Sequence, residues 1–349
     1  VDVEVRSYNP AVSACSGENL WPHALGLIFD LKARRLEPTI FTIGSAASAC
    51  AKAGQWQWPL EALEGIRQAR LAPNIFVCGS ALDACSHGSS PAEARPGWTL
   101  AISLLEAARL WSLEPNLPAF GAAVSACAVA GRWPSAVALL AAMTESSIHP
   151  TVTVCNAALN ACEKAHRWEA ALRLFAAMAS KASSVRLRQE DHRLVDVISF
   201  NSALSACEKG RRWAWAVWLL KNDMPGMGLE SNVRTFNAAI SACQGPLWEL
   251  GLHLCEELQQ AGLTPDVVTW NAASSACGKA LRWEGSLHLL RPAGGVMVGL
   301  TPDAMSCVAA ISACEKGSRW QPALELLREA RQTTMRPCVI AHNAAIAAC

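Results

Sequence analysis

The chain has 349 residues and a formal net charge of +1; 52% of its residues are hydrophobic and 17% are charged. This composition excludes a disordered chain and supplies enough apolar side chains for a large core. The charge gives no support to a strongly basic nucleic-acid-binding protein or to an acidic partner. Only one Tyr and seven Phe accompany abundant Ala and Leu, which favours helices over sheets.

Several classes of protein are excluded by features that the sequence lacks. No run of 18 apolar residues occurs, so no membrane span is expected. The 15 cysteines contain no C-x-x-C pair, and a chain of this length is not a disulfide scaffold; we expect a reducing compartment and no bound metal. Because the chain starts at Val1 and ends at Cys349 within a repeat, we expect a fragment whose targeting segment lies outside it.

A Cys recurs at a nearly constant interval, most often closing a Ser-Ala-Cys triplet. The intervals between successive marker cysteines are 35, 35, 42, 35, 45, 36, 34, 37 and 35 residues. A sustained period near 35 predicts an array of equivalent structural units. The marker cysteines are Cys15, Cys50, Cys85, Cys127, Cys162, Cys207, Cys243, Cys277, Cys314 and Cys349.

A Trp follows the marker Cys by six residues in seven repeats, namely at Trp21, Trp56, Trp133, Trp168, Trp213, Trp283 and Trp320. Trp248 follows its Cys by five residues and Trp98 by thirteen. The third repeat therefore carries an insertion between its two helices, around residues 89–91. The fifth repeat carries its extra residues in the polar run 180–193. We expect both insertions to form surface loops.

Each repeat is predicted to be two helices joined by a short turn. In repeat 152–196 the first helix is expected from about Val154 to Lys164. The second is expected from Trp168 to about Ala179, with apolar residues at helical spacing. Gly in the turns (Gly54, Gly131, Gly210, Gly317) is typical of a helical hairpin. One hairpin cannot bury its apolar stripe, so neighbouring hairpins must stack.

The predicted fold is therefore an all-α, right-handed superhelical solenoid of about nine 35-residue helical hairpins and a partial tenth. Residues 1–4 are expected to form a stub, and residues 5–349 a single repeat array. The predicted repeats are 5–39, 40–74, 75–116, 117–151, 152–196, 197–232, 233–266, 267–303, 304–338 and the partial 339–349.

Three recurring segments resemble the pentatricopeptide repeat family, in its P-type pattern. The opening Val267-Val268-Thr269-Trp270-Asn271 is similar to that family's V-x-T-[YFW]-N, and residues 261–266 are similar to its G-[IL]-x-P-[DN] ending. The segments 207–210 and 168–172, in the middle of their repeats, are similar to that family's C-x-K-x-G and W-x-x-A-[LIV] segments. The resemblance covers residues 5–349, and tetratricopeptide repeats, with a period of 34, are the nearest alternative.

The resemblance implies binding of single-stranded RNA, with one base contacted by the fifth and last residues of each repeat. In that family Asn with Asp favours U, and Asn with Asn favours a pyrimidine. Residues 152–303 are therefore expected to prefer about four consecutive pyrimidines, rich in U. The expected base-contacting residues are Asn9, Thr39, Asn156, Asp196, Asn201, Asn232, Asn237, Asp266, Asn271 and Asp303.

Four repeats depart from this pattern at the fifth position. Gly44, Gly79, Gly121 and Val308 have no hydrogen-bonding side chain there, so we expect no base selectivity from them. Alternatively, the recurrent Asn starts helices and has no RNA contact.

Two rows of cations accompany the repeats. A Lys lies two residues after the marker Cys in five repeats and is expected, from the resemblance, to contact phosphate. The alternative is a solvated face. An Arg precedes the Trp in five repeats (Arg132, Arg167, Arg212, Arg282, Arg319), which predicts a bound anion or a solvated turn. The expected phosphate contacts are Lys52, Lys164, Lys209, Lys279 and Lys316.

The remaining residues indicate a structural protein without catalysis. The marker cysteines are interpreted as small buried residues and the Trp residues as packing between repeats. No G-x-S-x-G motif, paired-carboxylate arrangement, Gly-rich phosphate loop or metal motif is present, so we expect no enzyme activity and no cofactor.

The function expected from the resemblance is sequence-selective binding of single-stranded RNA in a mitochondrion or chloroplast, in RNA processing, stability, editing or translation. A tetratricopeptide-like scaffold that binds proteins or peptides is the alternative, and protein partners are possible in either case. A third possibility is an array that keeps the fold without selectivity.

Overall fold

The computed structural model describes residues 5–17, 20–34, 36, 38–55, 57–68, 74–87, 97–111, 113–184, 195–243, 247–280, 282–290, 304–332 and 339–348. All regular structure in these residues is helical. The chain divides into two compact units, Val1–Ala165 and His166–Cys349. None of the described helices is both long and apolar enough to cross a membrane.

The first unit contains nine described helices arranged as successive hairpins. They are α1 (Val5–Gly17), α2 (Trp21–Ala33), α3 (Ile40–Lys52), α4 (Gln57–Gln68), α5 (Ile75–His87), α6 (Gly97–Leu110), α7 (Leu117–Val129), α8 (Trp133–Glu145) and α9 (Val152–Lys164). The odd-numbered helices are the first helices of their repeats, and α1, α3, α5, α7 and α9 pack on one another in order.

The second unit repeats this arrangement. Its helices are α10 (Trp168–Ser184), α11 (Val197–Lys209), α12 (Trp213–Trp218), α13 (Met224–Gly226), α14 (Val233–Ala242), α15 (Trp248–Gln260), α16 (Val267–Lys279), α17 (Trp283–Leu290), α18 (Ala304–Lys316), α19 (Trp320–Gln332) and α20 (Val339–Ala347). A π-helical segment, Leu219–Asp223, joins α12 to α13. Here the first helices α11, α14, α16, α18 and α20 pack on one another in order.

The core lies between stacked first helices and the second helices that cover them. The fourth residue of the first helix is a buried aromatic in several repeats, including Phe120, Phe200 and Trp270. Phe200 meets Phe175 of the preceding second helix edge to face, with ring centroids 4.7 Å apart. Burial of one such ring contributes about 1.5–3 kcal/mol, which is why hairpins that cannot cover it alone must stack.

The turn between the two helices is closed by the backbone of the marker cysteine. In repeat 197–232 the Arg212 N–H donates to the Cys207 carbonyl at 2.9 Å, and the Arg211 N–H donates to Glu208 at 2.9 Å. These two bonds form a Schellman motif, which requires a left-handed residue just after the helix. Gly54 and Gly131 fill that position in their repeats, with φ of 73° and 64°.

Gly210 and Gly317 have a different role from the one that their turn position suggests. Gly210 has φ −80°, and the left-handed conformation falls instead on Arg211, with φ 53°. A Cβ on Gly210 would lie 2.5 Å from Cδ1 of Trp168, and one on Gly317 would lie 2.9 Å from Cδ1 of Trp283. Both glycines therefore make room for the indole of the preceding repeat.

The expected lengths of two segments need correction. Helix α10 runs to Ser184, so the polar run 180–193 begins as helix and is not a loop throughout. Its remainder lies outside the described residues, as does the insertion around residues 89–91. The first helix of repeat 152–196 begins at Val152 rather than Val154, because Thr151 lies at its N-cap.

Replacing Ser318 by Gly is expected to raise the free energy of unfolding by about 0.5–1 kcal/mol, because Ser318 has a left-handed φ of 54° that Gly adopts without strain. Denaturant unfolding of the whole chain measures this. Ser312→Gly, the same change inside α18, is the control and should lower stability by a similar amount. Destabilisation by Ser318→Gly would contradict the assignment of the turn.

Candidate functional site

The last residue of a repeat is the N-cap of the next first helix. At the described junctions other than Thr151, its side chain accepts a hydrogen bond from the backbone N–H three residues on, as at Asn74 (2.9 Å), Asn116 (3.2 Å) and Asp266 (2.7 Å). Asp196, Asn232 and Asp266 each complete a reciprocal capping box. The fifth-position asparagines lie inside the helices, so the interpretation that they start helices is wrong.

The fifth and last residues of repeat 233–266 lie in direct contact. Asn237 Nδ2 donates to Asp266 Oδ1 at 3.0 Å. The Thr269 hydroxyl, from the following repeat, donates to Asn237 Oδ1 at 2.6 Å and lies 2.8 Å from Asp266 Oδ1. One polar cluster at a repeat junction therefore contains both residues of a sequence-predicted pair.

The pKa of Asp266 reflects this cluster. Burial acts to raise the pKa, but hydrogen bonds from the Thr269 backbone and hydroxyl, from Asn237 and from the Val268 backbone together lower it. The carboxylate therefore stays ionised at neutral pH. The stability that it contributes is present above the ordinary Asp pKa and is lost as pH falls through the lowered value.

The other predicted pairs differ in their contacts. Asn9 Oδ1 accepts from the Thr42 hydroxyl at 2.6 Å, and Thr42 lies 2.8 Å from the Thr39 hydroxyl, so this pair is joined through a third side chain. Asn201 Oδ1 and Asn271 Oδ1 are buried and have no hydrogen-bond partner among the described residues. Asp303 lies outside the described residues, and Asn156 and Asp196 belong to different units.

Sequence reasoning missed a row of exposed apolar side chains beside these clusters. The second residue of the first helix is apolar and 50–62% exposed in five repeats. The sequence did contain a signal for this row, because an apolar residue at the second position of a helix does not fall on the stripe of residues that the helix buries. A single exposed apolar residue is common on a protein surface, but its recurrence at the same position in five repeats indicates an interaction surface. The row, called here the second-position row, consists of Phe41, Phe76, Ile198, Val268 and Ile340.

At one of the glycine repeats, the second-position row fills the space of the missing fifth side chain. A Cβ on Gly44 would lie 2.7 Å from Cδ1 of Phe76, the second residue of the next repeat. Gly79 differs, since a Cβ there would meet nothing within 4 Å. The repeat 40–74 therefore presents an aromatic ring where the repeat 233–266 presents an amide.

Two stretches of the chain match family models. Residues 153–181 match the PPR repeat, and residues 219–280 match the pentatricopeptide repeat domain. The fold is also similar to that of the pentatricopeptide repeat protein PPR10 from maize, with a TM-score of 0.61, 19% identity and 99% of this chain covered. Residues 153–181 and 219–280 therefore carry pentatricopeptide repeats.

The likeness to PPR10 extends to its complex with an 18-nt psaJ RNA element, with a TM-score of 0.54 and 18% identity over 98% of this chain. At these identities the likeness shows the fold alone. The chain spans about half the length of PPR10, covering 52% of it. No curated protein matches the sequence.

The Arg that precedes the Trp has, in four repeats, a role that the sequence did not suggest. Its guanidinium lies over the indole of the preceding repeat, 4.5 Å from the ring centroid for Arg212 on Trp168 and 4.8 Å for Arg132 on Trp98. Arg282 on Trp248 and Arg319 on Trp283 follow at 6.0 and 5.5 Å. These cation–π contacts replace both expectations, a bound anion and a solvated turn, and they assign these Trp rings to packing between repeats.

The lysines expected to contact phosphate are exposed and lie in the last turns of the first helices. They are about 12 Å along the helix from the fifth position, eight residues away. Burial lowers the pKa of Lys279, and the positive charges of Arg211 and Lys316 lower it further against the effect of Glu208. Cations from three repeats thus act on one another at this edge, where an anion would relieve the repulsion.

The marker cysteines have structural positions. Those from Cys50 to Cys314 are buried free thiols, and Cys15 is half-buried. Burial raises the pKa of Cys50 to about 11 and that of Cys207 to about 12, so neither forms a reactive thiolate at neutral pH. Within the described part of the chain, no group of three or more His, Cys, Asp or Glu is placed to hold a metal ion.

Replacing Arg212 by Met, which keeps the length of the side chain and removes its charge, should lower the free energy of unfolding by about 0.5–1 kcal/mol through loss of the contact with Trp168. Denaturant unfolding measures the change. The control is Arg173→Met, since Arg173 is exposed and stacks on no described ring. Equal effects of the two substitutions would contradict the cation–π assignment.

Proposed function

We propose that this chain binds single-stranded RNA with one base per repeat, and that residues 152–303 select pyrimidines, rich in U. It acts by occupying a site in a transcript rather than by catalysis. In keeping with its family, we place it in a mitochondrion or chloroplast, in RNA processing, stability, editing or translation.

The observation that carries the proposal is the contact between Asn237 and Asp266 at 3.0 Å. An amide and a carboxylate held together offer both a donor and acceptors to the edge of an unpaired base. Val268, 59% exposed, directly follows the junction and offers an apolar surface for the face of the base. PPR10, whose fold is similar, has been crystallised with an RNA element.

The glycine repeats fit a supporting role in RNA binding. Phe76 is 50% exposed and occupies the space beside Gly44, where no polar side chain is present. Stacking of a base on an aromatic ring contributes about 1–3 kcal/mol and tolerates any base. The junction of Gly44 with Phe76 would therefore add affinity without selectivity.

A peptide-binding groove remains the second candidate, because the second-position row is apolar and the net charge is only +1. The two functions differ in salt dependence. RNA binding releases counterions and weakens steeply with salt, whereas contacts with an apolar peptide are nearly indifferent to it.

The test of the proposed function is fluorescence-anisotropy titration with a UUUU-containing pyrimidine oligomer and its purine counterpart at two salt concentrations. We expect the pyrimidine strand to bind more tightly, and Asn237→Ala with Asn271→Ala to weaken it by about tenfold or more per hydrogen-bonded base. Asn160→Ala, an exposed Asn at the ninth position of α9, is the control. Absence of binding to either strand would refute RNA binding and favour a protein partner.

Replacing Lys279 and Lys316 by Gln should weaken binding of both oligomers equally and reduce the salt slope by about 1.4, because two phosphate contacts are lost at about 0.7 each. The control is Lys221→Gln, since Lys221 pairs with Glu257 at 2.7 Å in the second helices. An unchanged salt slope in the Lys279/Lys316 variant would place the RNA backbone elsewhere.

A further inference from the structure

The third residue of each first helix varies together with the fifth residue of the preceding repeat. Wherever the fifth residue is Asn, the third residue of the next repeat carries a hydroxyl: Thr42, Ser199, Thr235, Thr269 and Ser306 follow Asn9, Asn156, Asn201, Asn237 and Asn271. Wherever the fifth residue is Gly or Val, it is apolar: Val77, Ala119, Val154 and Ala341 follow Gly44, Gly79, Gly121 and Val308.

Helix capping alone does not account for this pattern. A third-position hydroxyl can complete a capping box with the last residue of the preceding repeat, as Thr235 does with Asn232. However, Asn74, Asn116 and Thr151 are also polar residues at the cap position, and apolar third residues follow them. The hydroxyl therefore follows the fifth-position Asn and not the type of cap.

At two of these junctions the structure shows a hydrogen bond between the paired residues. Thr269 and Thr42 are fully buried, and each hydroxyl lies 2.6 Å from the Oδ1 of the preceding fifth-position Asn. Asn237 is itself only 7% exposed. An apolar third residue in this place would leave a buried amide oxygen unsatisfied, which is costly.

The amide of Asn237 is held in one orientation by two neighbours. Its Oδ1 faces the Thr269 hydroxyl and its Nδ2 faces the Asp266 carboxylate at 3.0 Å. Rotation of the amide by 180° would place its oxygen against a carboxylate oxygen, which repels it. The donor and the acceptor of this amide are therefore held in one fixed arrangement.

Repeat 197–232 also has a fifth-position Asn followed by a third-position hydroxyl, but this Asn does not accept a hydrogen bond from that hydroxyl. The Thr235 hydroxyl donates to Asn232 Oδ1 at 2.8 Å, and Asn201 Oδ1 has no partner among the described residues. The neutral amide of Asn232 at the last position offers no carboxylate to accept from the Nδ2 of Asn201 and orient it. Its amide orientation is therefore less restrained than that of Asn237.

We infer that the third-position hydroxyl is a positioning residue for base selection: it fixes the fifth-position Asn of the preceding repeat, and does so most firmly where the last residue is Asp. The unit of selectivity is then three residues from two adjacent repeats. This inference rests on the proposed function, but its structural part is independent of RNA.

The structural part is tested by two double-mutant cycles on the full chain, followed by denaturant unfolding. The cycle of Asn237→Ala with Thr269→Val should show coupling of about fivefold to tenfold in the unfolding equilibrium constant. The cycle of Asn201→Ala with Thr235→Val should show no coupling, because the effects of the two substitutions on the unfolding equilibrium constant should simply multiply. Both threonines occupy capping boxes, so their common effect on the cap cancels. Equal coupling in the two cycles, or none in the first, would overturn the inference.

The functional part is tested with RNA oligomers carrying single-base substitutions, in which Asn237→Ala identifies the base bound by repeat 233–266. Thr269→Val should reduce discrimination at that base about tenfold, Thr269→Ser should retain it, and Thr235→Val should leave it unchanged. Loss of affinity without loss of discrimination in Thr269→Val would overturn a positioning role. If the unchanged chain binds no RNA, the proposed function fails while the coupling result still decides the contact.

Discussion

The rest of the structure depends on one shared residue at each repeat junction: the last residue of a repeat is also the N-cap of the following helix. Removing such a cap costs about 1 kcal/mol, so the position is restricted to short polar side chains. The described junctions use Thr39, Asn74, Asn116, Thr151, Asp196, Asn232 and Asp266. These are also side chains that hydrogen-bond a base edge. A substitution at this position therefore changes helix capping and stability together with the hydrogen-bonding groups at the junction.

Register between repeats is maintained at the other end of the first helix. The marker Cys carbonyl closes the turn, and the Arg that supplies the closing N–H also stacks on the preceding Trp. One interval in the second unit breaks this pattern. Repeat 233–266 is one residue short around its turn, Leu247 takes the place of the Arg, and Trp213 is 42% exposed. Regular spacing is thus needed for the contact, which is consistent with the near-constant interval of 35 residues.

Periodicity was enough to predict the helical hairpins, because each pattern residue acts within its own repeat or on its direct neighbour. The stripe of α10 behaves as expected, with Ala171, Phe175 and Met178 buried. The contact of Arg212 with Trp168 was not predictable in the same way, since the two residues are 44 positions apart and only the stacking angle brings them together. The orientation of the Asn237 amide depends on a hydroxyl 32 residues later and on the protonation of Asp266. A pattern that records only the fifth and last residues of each repeat contains no information on that hydroxyl or on the protonation of Asp266.

The junctions solve one packing problem in two ways. The space beside the fifth position is filled by an amide and a hydroxyl at Asn237 and Thr269, and by the Phe76 ring at Gly44. At Asn237 and Thr269 the buried polar atoms have hydrogen-bond partners, and the junction contains oriented donors and acceptors. At Gly44 the Phe76 ring fills the space, and no side-chain polar atom there needs a partner. An apolar third residue beside Asn237 would bury an unpaired amide oxygen, which links the fifth residue of one repeat to the third residue of the next. The hydrogen-bonding groups at such a junction therefore come from two adjacent repeats and not from one.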